Sequence, residues 1–458
     1  MNEHAQFSFS KDNRRSIDDS HFTEAALSEK FGTIHCNELR YISAWGKWMR
    51  FDGQRWRAEQ TGYAMESSKV LCVNASAFCS EGKLKFKLES RATITAVEAL
   101  ARVDRRLIAT VDQWDKDDWL LNTPGGVVDL RTAKIRPHLP EDFMTKMTAV
   151  PPGGQSPPWQ EFLKRVTGND AELAAFLQRM AGYALTGDTS AHALFFLFGL
   201  GANGKSVFLD TLAGLMGDYA KTSAIETFTA SNTDRHPTDI ASLQGSRLAI
   251  ANETDEGRRW AESRIKSLTG GDKISARFMR QDAFEFQPKL KLVIVGNHKP
   301  GLRSVDVAMR RRFHLVPFTV TIPSEERDPH LKEKLFADGA GILQWALNGC
   351  LEWQRIGLRP PQAVTDATAD YLEGEDSIAA WLLECCVDHR LSREVRDEFT
   401  LSSDLFANWK GWCGRSGEFA GSNKTFSQRL EAKGFLKKKG RLGTAFLDLI
   451  LSPSQVYM

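Results

Sequence analysis

The sequence of 458 residues contains only seven cysteines, and none of them forms a C-x-x-C pair. Zinc ribbons use C-x-x-C pairs and disulfide scaffolds are rich in cysteine, so neither is indicated and a reducing compartment is expected. Basic residues (60) outnumber acidic residues (58) by only two, which gives a net charge of +2. Any surface that binds a polyanion must therefore be local, because the protein as a whole is not a polycation.

Long apolar runs are also missing. No stretch approaches the eighteen or so apolar residues of a membrane helix, and the N-terminus M-N-E-H-A-Q-F-S-F-S lacks the apolar core of a signal peptide. We therefore expect a cytoplasmic protein. The 42% of hydrophobic residues is enough for two or three ordinary globular domains, whereas the polar residues 1–20 are expected to be a disordered tail.

The most informative motif is F-F-L-F-G-L-G-A-N-G-K-S, at Phe195–Ser206. It matches G-x-x-x-x-G-K-[ST], a phosphate-binding loop in which glycines permit tight turns and backbone N–H groups surround a polyphosphate. Lys205 would reach the β- and γ-phosphates, and the Ser206 hydroxyl would ligate Mg²⁺. The alternative, an ordinary glycine-rich turn, is disfavoured by the apolar strand before the loop and the helical periodicity after it. The residues expected to bind ATP are Gly199, Gly201, Asn203, Gly204, Lys205 and Ser206.

Two later apolar runs end in polar side chains. Leu248–Ala251 predicts a buried parallel strand that leads to Glu253, expected beside the phosphate loop. An acid there can hold the Mg²⁺ shell or polarise the attacking water. Leu290–Asn297 predicts a second strand, whose terminal amide could orient that water. Gly-Asn is also a common turn pair, so this second assignment is weak by itself.

Three consecutive arginines follow at Arg310, Arg311 and Arg312. They lie too close together for all three to face one ligand, so one or two could reach the nucleotide of a neighbouring subunit. An arginine supplied in this way neutralises charge on the transferred phosphoryl group, and it implies an oligomer. The alternative is a solvated basic surface.

In this order the motifs, together with K-S-L-T-G-G-D-K-I-S-A-R at Lys266–Arg277 and D-x-A-x-x-R-R from Asp306, resemble superfamily 3 helicases of the D5-like, phage P4 primase-helicase type. The resemblance implies an α/β P-loop motor domain with an AAA+-like parallel sheet flanked by helices. It also implies a hexameric ring that hydrolyses ATP with Mg²⁺ and moves 3′ to 5′ on single-stranded DNA.

The resemblance assigns a role to each matching residue. Lys205 and Ser206 correspond to the Walker A pair, Glu253 to the Walker B acid and Asn297 to the sensor. Arg311 and Arg312 correspond to the arginine finger, whereas Arg310 stands where the family often has an aromatic residue. In related helicases a hairpin after the T-G-G-D segment grips DNA in the ring channel, and here Arg280 would lie near its tip.

The C-terminal pattern of helix, helix and basic hairpin predicts a winged helix whose wing contacts phosphates. For both DNA contacts the alternative is a hairpin with incidental surface charge. The residues predicted to bind DNA are Lys266, Arg277, Arg280, Lys437, Lys438, Lys439 and Arg441.

Before the motor, the hairpins expected at Trp45–Trp56 and Leu120–Pro137 resemble the α+β D5 N-terminal domain, with helices between them in Ala64–Val111. We expect its tryptophans to be core residues more often than base-stacking residues. The predicted division is a tail at 1–20, the N-terminal domain at 21–150, a Pro/Gly linker at 151–158, a helical lead-in at 159–190, the ATPase domain at 191–360 and the winged helix at 376–458.

The sequence thus predicts an ATP-dependent DNA helicase of a phage, prophage or plasmid-like element in a bacterial host, acting on single-stranded and forked DNA. Two alternatives stay open: a P-loop ATPase that remodels nucleoprotein or acts in phage defence, and a nucleotide-regulated origin-binding module. Many D5-like proteins carry a primase domain, but only about 40 residues precede the first aromatic hairpin. We therefore expect a separate primase or replication initiator.

Overall fold

The computed structural model describes residues 19–230, 238–252, 258–280, 282–302, 306–374, 376–388, 399–418, 420–440 and 443–452. Residues 1–18 of the tail predicted over 1–20, the acid Glu253 and the wing residue Arg441 lie outside these ranges. The last two residues of the predicted tail instead begin a short 3-10 helix, Asp19–Phe22. The described residues form two compact units, and the first comprises the chain up to Gly153 together with Leu215–Tyr219. No helix in the described ranges is long and apolar enough to cross a membrane.

The first unit is an α+β structure with two three-stranded antiparallel sheets, ordered β1-β2-β3 and β4-β5-β6. Its elements are α1 (Glu24–His35), β1 (Leu39–Ile42), β2 (Lys47–Phe51), β3 (Trp56–Ala58), α2 (Tyr63–Ser76), α3 (Gly82–Leu88), α4 (Arg91–Ala101), β4 (Leu120–Thr123), β5 (Gly126–Asp129) and β6 (Lys134–Arg136).

The aromatic hairpin of this unit is formed by β2 and β3. Its turn is held by Asp52, whose carboxylate accepts hydrogen bonds from the backbone N–H groups of Gln54 and Arg55. Trp48 and Trp56 are only 8% and 1% exposed, and the Trp48 indole donates to the buried Glu98 carboxylate at 2.6 Å. These two indoles pack in the core, which leaves little of their surface for stacking on bases.

The predicted helices between the two hairpins stop earlier than expected. Helix α4 ends at Ala101, well before the end of the predicted range at Val111. The Asp104 carboxylate accepts a hydrogen bond from the backbone N–H of Arg106, a local turn that competes with helical pairing.

The second unit is built on a five-stranded sheet in which every pair of neighbours is parallel, with the order β13-β7-β12-β9-β8. Its first elements are α5 (Pro157–Val166), α6 (Ala171–Leu185), β7 (Leu194–Phe198), α7 (Lys205–Met216), β8 (Ala220–Thr222), α8 (Thr238–Ala241), β9 (Leu248–Asn252), α9 (Glu262–Gly270), β10 (Ile274–Ala276), β11 (Phe284–Phe286), β12 (Lys291–Gly296), α10 (Val307–Arg310), β13 (Phe313–Pro317), α11 (Leu331–Ala337), α12 (Gly339–Ile356) and α13 (Gln362–Gly374).

The sheet is parallel because its strands are almost continuously apolar and are covered by helices. Leu194, Phe196, Leu292 and Ile294 at its centre are all completely buried. A parallel sheet flanked by helices fits an α/β nucleotide-binding domain.

The strand order adds a detail that the sequence does not give. Strand β12 pairs with both β7 and β9, so it separates the strand that leads towards Glu253 from the strand that leads into the phosphate loop. The chain crosses from β9 through α9 and the β10–β11 hairpin before it returns to that central position.

The predicted linker also ends earlier than expected. Helix α5 begins at Pro157, inside the predicted linker, because proline is tolerated in the first helical turn, where its missing N–H costs nothing. The Ser156 hydroxyl caps this helix by accepting a hydrogen bond from the Trp159 backbone N–H at 3.2 Å.

The C-terminal part of the second unit has its own hydrophobic core, which includes Trp381, Trp409 and Phe446. Strands β15, β16 and β17 form one antiparallel sheet, and β14 pairs with β18. The elements are α14 (Ser377–Cys385), β14 (Cys386–Asp388), β15 (Phe399–Leu401), α15 (Ser402–Ser416), α16 (Asn423–Ala432), β16 (Lys437–Gly440), β17 (Gly443–Leu447) and β18 (Leu449–Leu451).

Helices α6 and α12 approach each other closely at two glycines. A Cβ atom on Gly182 would lie 2.0 Å from the Cys350 backbone nitrogen, and one on Gly349 would lie 2.0 Å from the Gln178 carbonyl oxygen. Both obstacles are backbone atoms, which cannot rotate away.

We expect Gly182→Ala to destabilise the protein by about 2 kcal/mol or more, because the added methyl group forces two helices apart. The measurement is the midpoint of urea unfolding followed by circular dichroism. Gly414→Ala in α15 is the matched control. A Cβ at Gly414 meets nothing within 4 Å, so this helical alanine should leave the midpoint unchanged or raise it. Equal midpoints for Gly182→Ala and the wild type would contradict the packing argument.

Candidate nucleotide-binding site

The loop between β7 and α7 has two positions that require glycine. A Cβ atom on Gly199 would lie 2.1 Å from the Phe318 carbonyl oxygen, and Gly204 has φ +84°, in the left-handed region. Gly201 differs from the sequence expectation, because nothing lies within 4 Å of a Cβ there and its φ is not in that region. Two of the three predicted glycines therefore shape this loop.

Lys205 is buried where the loop meets α7, with 4% of the residue exposed. Its Nζ atom donates to the Gly199 carbonyl at 2.5 Å, to Asn203 Oδ1 at 3.0 Å and to Asn297 Oδ1 at 3.3 Å. All three acceptors are neutral. Burial lowers the pKa of the Lys205 ammonium to about 8, because desolvation penalises its charged form.

Asn203 holds the loop against the neighbouring strand. Its Nδ2 atom donates to the carbonyl oxygens of Leu200, at 2.6 Å, and Phe318, at 3.1 Å, while its Oδ1 accepts from Lys205. The sequence motif assigns no side-chain role to this position. The Phe318 carbonyl, which follows β13, was not predicted at all, because its nearness to the loop arises only from the pairing of β13 with β7.

Asn297 reaches the same edge of the sheet because β12 runs parallel to β7, with Gly296 paired to Phe198. Strand β9 ends at this edge as well, at Asn252, which pairs with Val295. Ser206 is exposed in the first turn of α7. The structure thus brings together Lys205, Asn297 and the loop, which the sequence separates by more than ninety residues.

The three arginines have different environments. Arg312 is only 6% exposed, and its guanidinium donates to Thr269 Oγ1 at 3.3 Å and to the Ala308 carbonyl at 2.9 Å. Burial lowers the pKa of this guanidinium. Such a side chain is not presented to a neighbouring subunit. Arg311 is exposed, whereas the Arg310 guanidinium lies 3.7 Å from the Asp376 carboxylate.

The segment Lys266–Arg277, which most resembles the family, makes contacts within its own chain. The Lys266 ammonium forms an ion pair with Asp306, which caps α10 by accepting from the Met309 N–H at 2.8 Å. Burial by itself would raise the pKa of Asp306, but the Lys266 ammonium and the backbone amides of α10 lower it below its ordinary value. Lys266 is therefore held by a carboxylate, an environment that competes with its predicted role in binding DNA.

A hairpin is present, but it begins earlier than the range 277–288 in which it was predicted: β10 lies inside the segment Lys266–Arg277 and pairs antiparallel with β11. Arg277 and Arg280 are both exposed, and Arg280 lies between the strands with φ +61°. This backbone region is unusual for a residue with a side chain and marks a tight turn. The structure therefore places Arg280 in the connecting segment, as the sequence analysis proposed for the tip.

The C-terminal lysines are exposed along β16, which pairs with β17. Lys437 lies 2.9 Å from the Glu431 carboxylate. Lys438 and Lys439 have no carboxylate partner among the residues that the structure describes. In this part of the chain no described carboxylate therefore competes with a ligand for the ammonium groups of Lys438 and Lys439.

Two family models match different parts of the chain. Residues 26–168 match the family model described as D5 N terminal like, and residues 197–312 match a family of unknown function, DUF5906. Putative helicase L207/L206 of Acanthamoeba polyphaga mimivirus is 24% identical over 65% of this chain and 33% of its own length. Putative helicase 022R of Frog virus 3 is 26% identical over 53% of this chain and 26% of its own length.

A third relative, Putative helicase 121R of Invertebrate iridescent virus 3, is 23% identical over 71% of this chain and 38% of its own length. The chain therefore spans between about a quarter and two fifths of these relatives. Among solved structures, the apo C-terminal region of NrS-1 matches with a TM-score of 0.49 and 9% identity, over 93% of this chain and 98% of that one.

The assignment rests on the sequence comparisons, since the N-terminal model and the viral helicases match overlapping parts of one chain. The described fold agrees with them, because the α+β unit covers most of the first match and the parallel sheet covers the second. The chain is therefore similar to D5-like helicases: its residues 26–168 match the D5 N-terminal model, and its relatives are named as putative helicases of large DNA viruses.

Proposed function

We propose that this protein is an ATP-dependent DNA helicase of superfamily 3, which works as a hexameric ring and translocates 3′ to 5′ on single-stranded DNA during replication. One observation carries the proposal. The buried ammonium of Lys205 lies where the glycine loop meets the polar end of the neighbouring strand, within 3.3 Å of Asn297. A cation held at the carboxyl edge of a parallel sheet, beside the N-terminus of a helix, suits a polyphosphate.

The residues of this edge fit ATP with Mg²⁺. Lys205 has three neutral acceptors and no carboxylate partner among the described residues, so a phosphate oxygen can replace those acceptors as a stronger partner. Ser206, exposed at the start of α7, would hold the metal together with Glu253. Bound ATP supplies the phosphoanhydride whose hydrolysis drives movement. Asn297 would orient the attacking water.

A neighbouring subunit would complete the site through Arg311, which is exposed and precedes the buried Arg312. Arg312 would act as a positioning residue, since its bonds to Thr269 and Ala308 fix the turn that carries Arg311. In this proposal the two arginines correspond to one finger and its support.

DNA would be contacted at two places in the second unit. Arg280, in the turn between β10 and β11, would touch the strand in the ring channel, and Arg277 begins the same connecting segment directly after β10. The C-terminal helices and hairpin would form a winged helix whose exposed Lys438 and Lys439 lie against phosphates, joined by Lys437 and Arg441. The relatives belong to large DNA viruses, and we propose a phage, prophage or plasmid-like element for this chain.

Two other functions use the same residues differently. A P-loop ATPase that remodels nucleoprotein, or acts in phage defence, would need Lys205 but not the grip of Arg280. An origin-binding module would depend on the C-terminal lysines and use nucleotide only for assembly. A separate primase or replication initiator would be a partner of the helicase.

The first test is strand displacement from forked DNA with a single 3′ or 5′ tail. We expect unwinding of the 3′-tailed fork, abolished by Lys205→Ala, because the phosphate oxygens lose their buried cation. Arg280→Ala should abolish unwinding but retain ATPase activity, since it removes only a DNA contact.

ATP hydrolysis without unwinding of either fork would favour the remodelling ATPase. If Glu253→Gln stopped ATP hydrolysis but left unwinding intact, the ATP-driven helicase would be excluded.

The second test uses the lowered pKa of Lys205. Its amine is charged below about pH 8 and neutral above it, whereas bound phosphate raises its pKa. Nucleotide affinity should therefore fall by up to about tenfold per pH unit above pH 8. Calorimetric titration with ADP between about pH 7.5 and pH 9.5 measures this slope. Lys205→Arg is the control, because a guanidinium stays charged and should remove the slope. A wild-type affinity independent of pH would contradict the assignment of Lys205.

The third test separates the two arginines. Arg311→Ala should lower the ATPase rate by about a thousandfold with unchanged thermal stability, since its side chain is exposed. Mixing it with an excess of Lys205→Ala subunits should partly restore activity, because each inactive subunit supplies the arginine that its neighbour lacks. Arg312→Ala should instead lower the melting temperature, as it leaves Thr269 and Ala308 without their buried partner. Full activity of Arg311→Ala would refute the trans role.

A further inference from the structure

Helix α10 is a single turn, and the three arginines lie at its end. Of its four residues only Met309 is buried, and the backbone N–H groups of Arg310, Arg311 and Arg312 donate back to the turn at 3.0–3.2 Å. So short a helix is not stable by itself, because starting a helix costs more free energy than one turn of hydrogen bonds returns. The direction of the Arg311 side chain therefore depends on the contacts that hold α10 in place.

Two of these contacts come from α9. Asp306, which caps the start of α10, forms an ion pair with Lys266, and Arg312 donates to the Thr269 hydroxyl after the end of α10. Helix α9 packs in the hydrophobic core of the parallel sheet through Ile265. These contacts therefore attach the turn to the ATPase part of the unit.

A third contact comes from the C-terminal part of the unit. The Arg310 guanidinium lies 3.7 Å from Oδ2 of Asp376, a side chain that is only 10% exposed. The same oxygen lies 2.6 Å from the ammonium of Lys433, at the end of α16. Because this carboxylate is largely shielded from water, its attraction for the two cations is screened less than that of a surface pair.

The position of Asp376 is fixed by the C-terminal core. Its other oxygen, Oδ1, accepts a hydrogen bond from the Ala379 backbone N–H at 3.1 Å and so caps α14. Ile378 and Trp381 of that helix are completely buried in the C-terminal core. A shift of the carboxylate relative to Arg310 therefore requires a shift of α14 or the loss of its cap.

We propose that Asp376 is a positioning residue for Arg311: it ties Arg310 to the C-terminal core and so fixes the turn from which Arg311 projects. The inference rests on the proposed ATPase function, because Arg311 acts on the nucleotide of a neighbouring subunit. It gives Arg310, which stands where the family often has an aromatic residue, a role of its own. The C-terminal part thereby affects ATP hydrolysis without touching the nucleotide.

The variant that tests this contact is Asp376→Asn. Asparagine has the same shape and is an equally good N-cap, so α14 keeps its cap while Arg310 loses its counter-charge. The first measurement is hydrogen exchange of the backbone amides 310–312 in the full chain, which does not depend on activity. We expect exchange to become about fivefold faster, the effect of losing one partly buried ion pair.

Two further variants show which cation matters. Arg310→Gln should speed exchange as much as Asp376→Asn does, and the double variant should add nothing, because both changes remove one contact. Lys433→Gln removes the other cation from the same oxygen and should not speed exchange of amides 310–312, since Asp376 keeps Arg310. If Asp376→Asn does not fold, Arg310→Gln tests the same contact from its more exposed side.

The control for the lost charge is Glu431→Gln. This carboxylate also belongs to the C-terminal part, but its ion pair is with Lys437, at 2.9 Å, and both side chains are 41% exposed. The variant changes the net charge by the same amount as Asp376→Asn. It should leave the exchange of amides 310–312 and the ATPase rate without DNA unchanged.

The second measurement is ATP hydrolysis. Asp376→Asn and Arg310→Gln should each lower kcat by about tenfold and leave KM for ATP unchanged, because Arg311 is displaced while Lys205 and its loop stay intact. A merely structural role of Asp376 would instead lower the melting temperature, and Lys433→Gln would lower kcat as much as Asp376→Asn does.

The proposal is overturned if amides 310–312 exchange at the wild-type rate in both Asp376→Asn and Arg310→Gln. It is also overturned if both variants keep the wild-type kcat, or if Lys433→Gln and Asp376→Asn have equal effects. A wild-type chain that hydrolyses no ATP would refute the proposed function instead, and hydrogen exchange would still decide whether Asp376 holds the turn.

Discussion

The arrangement of the candidate site depends on one buried amine. Lys205 is 4% exposed, and its ammonium is bonded by the loop carbonyl of Gly199, by Asn203 and by Asn297. Burying a charged group is costly, and this burial lowers the pKa of the Lys205 ammonium to about 8. Because Gly199 and Asn203 belong to the loop and Asn297 follows β12, the amine joins the loop to the end of β12. A polyphosphate would supply a negative charge that no described residue donates to this ammonium through a direct contact.

The phosphate loop is also supported from behind by the lead-in helix. A Cβ atom on Gly204 would lie 2.4 Å from Val166 Cγ1, and Trp159, two turns earlier on α5, stacks on Phe208 of α7. Helix α5 therefore packs directly against the loop and its helix.

Neighbouring residues of the same type can have different physical roles. Arg311 is exposed and Arg312 is buried, because successive residues at the end of α10 point in different directions and only one can reach Thr269. In the same way, Lys266 belongs to the segment that most resembles the family, yet its charge is paired with Asp306 inside its own chain. The Lys266–Asp306 ion pair joins α9 to the start of α10, so this lysine has a structural contact within its own chain.

The sequence by itself determined the local features: the loop from Gly199 to Ser206, the apolar strands, the β10–β11 hairpin and the family. These features follow from glycine positions and from the periodicity of apolar residues, which are local properties. Only the tertiary structure decided that β12 separates β9 from β7, that the Phe318 carbonyl excludes a side chain at Gly199, and that Arg312 is buried. Strand order and burial depend on contacts between residues far apart in the chain. A local pattern of apolar residues does not predict which of several similar strands will pair with each other.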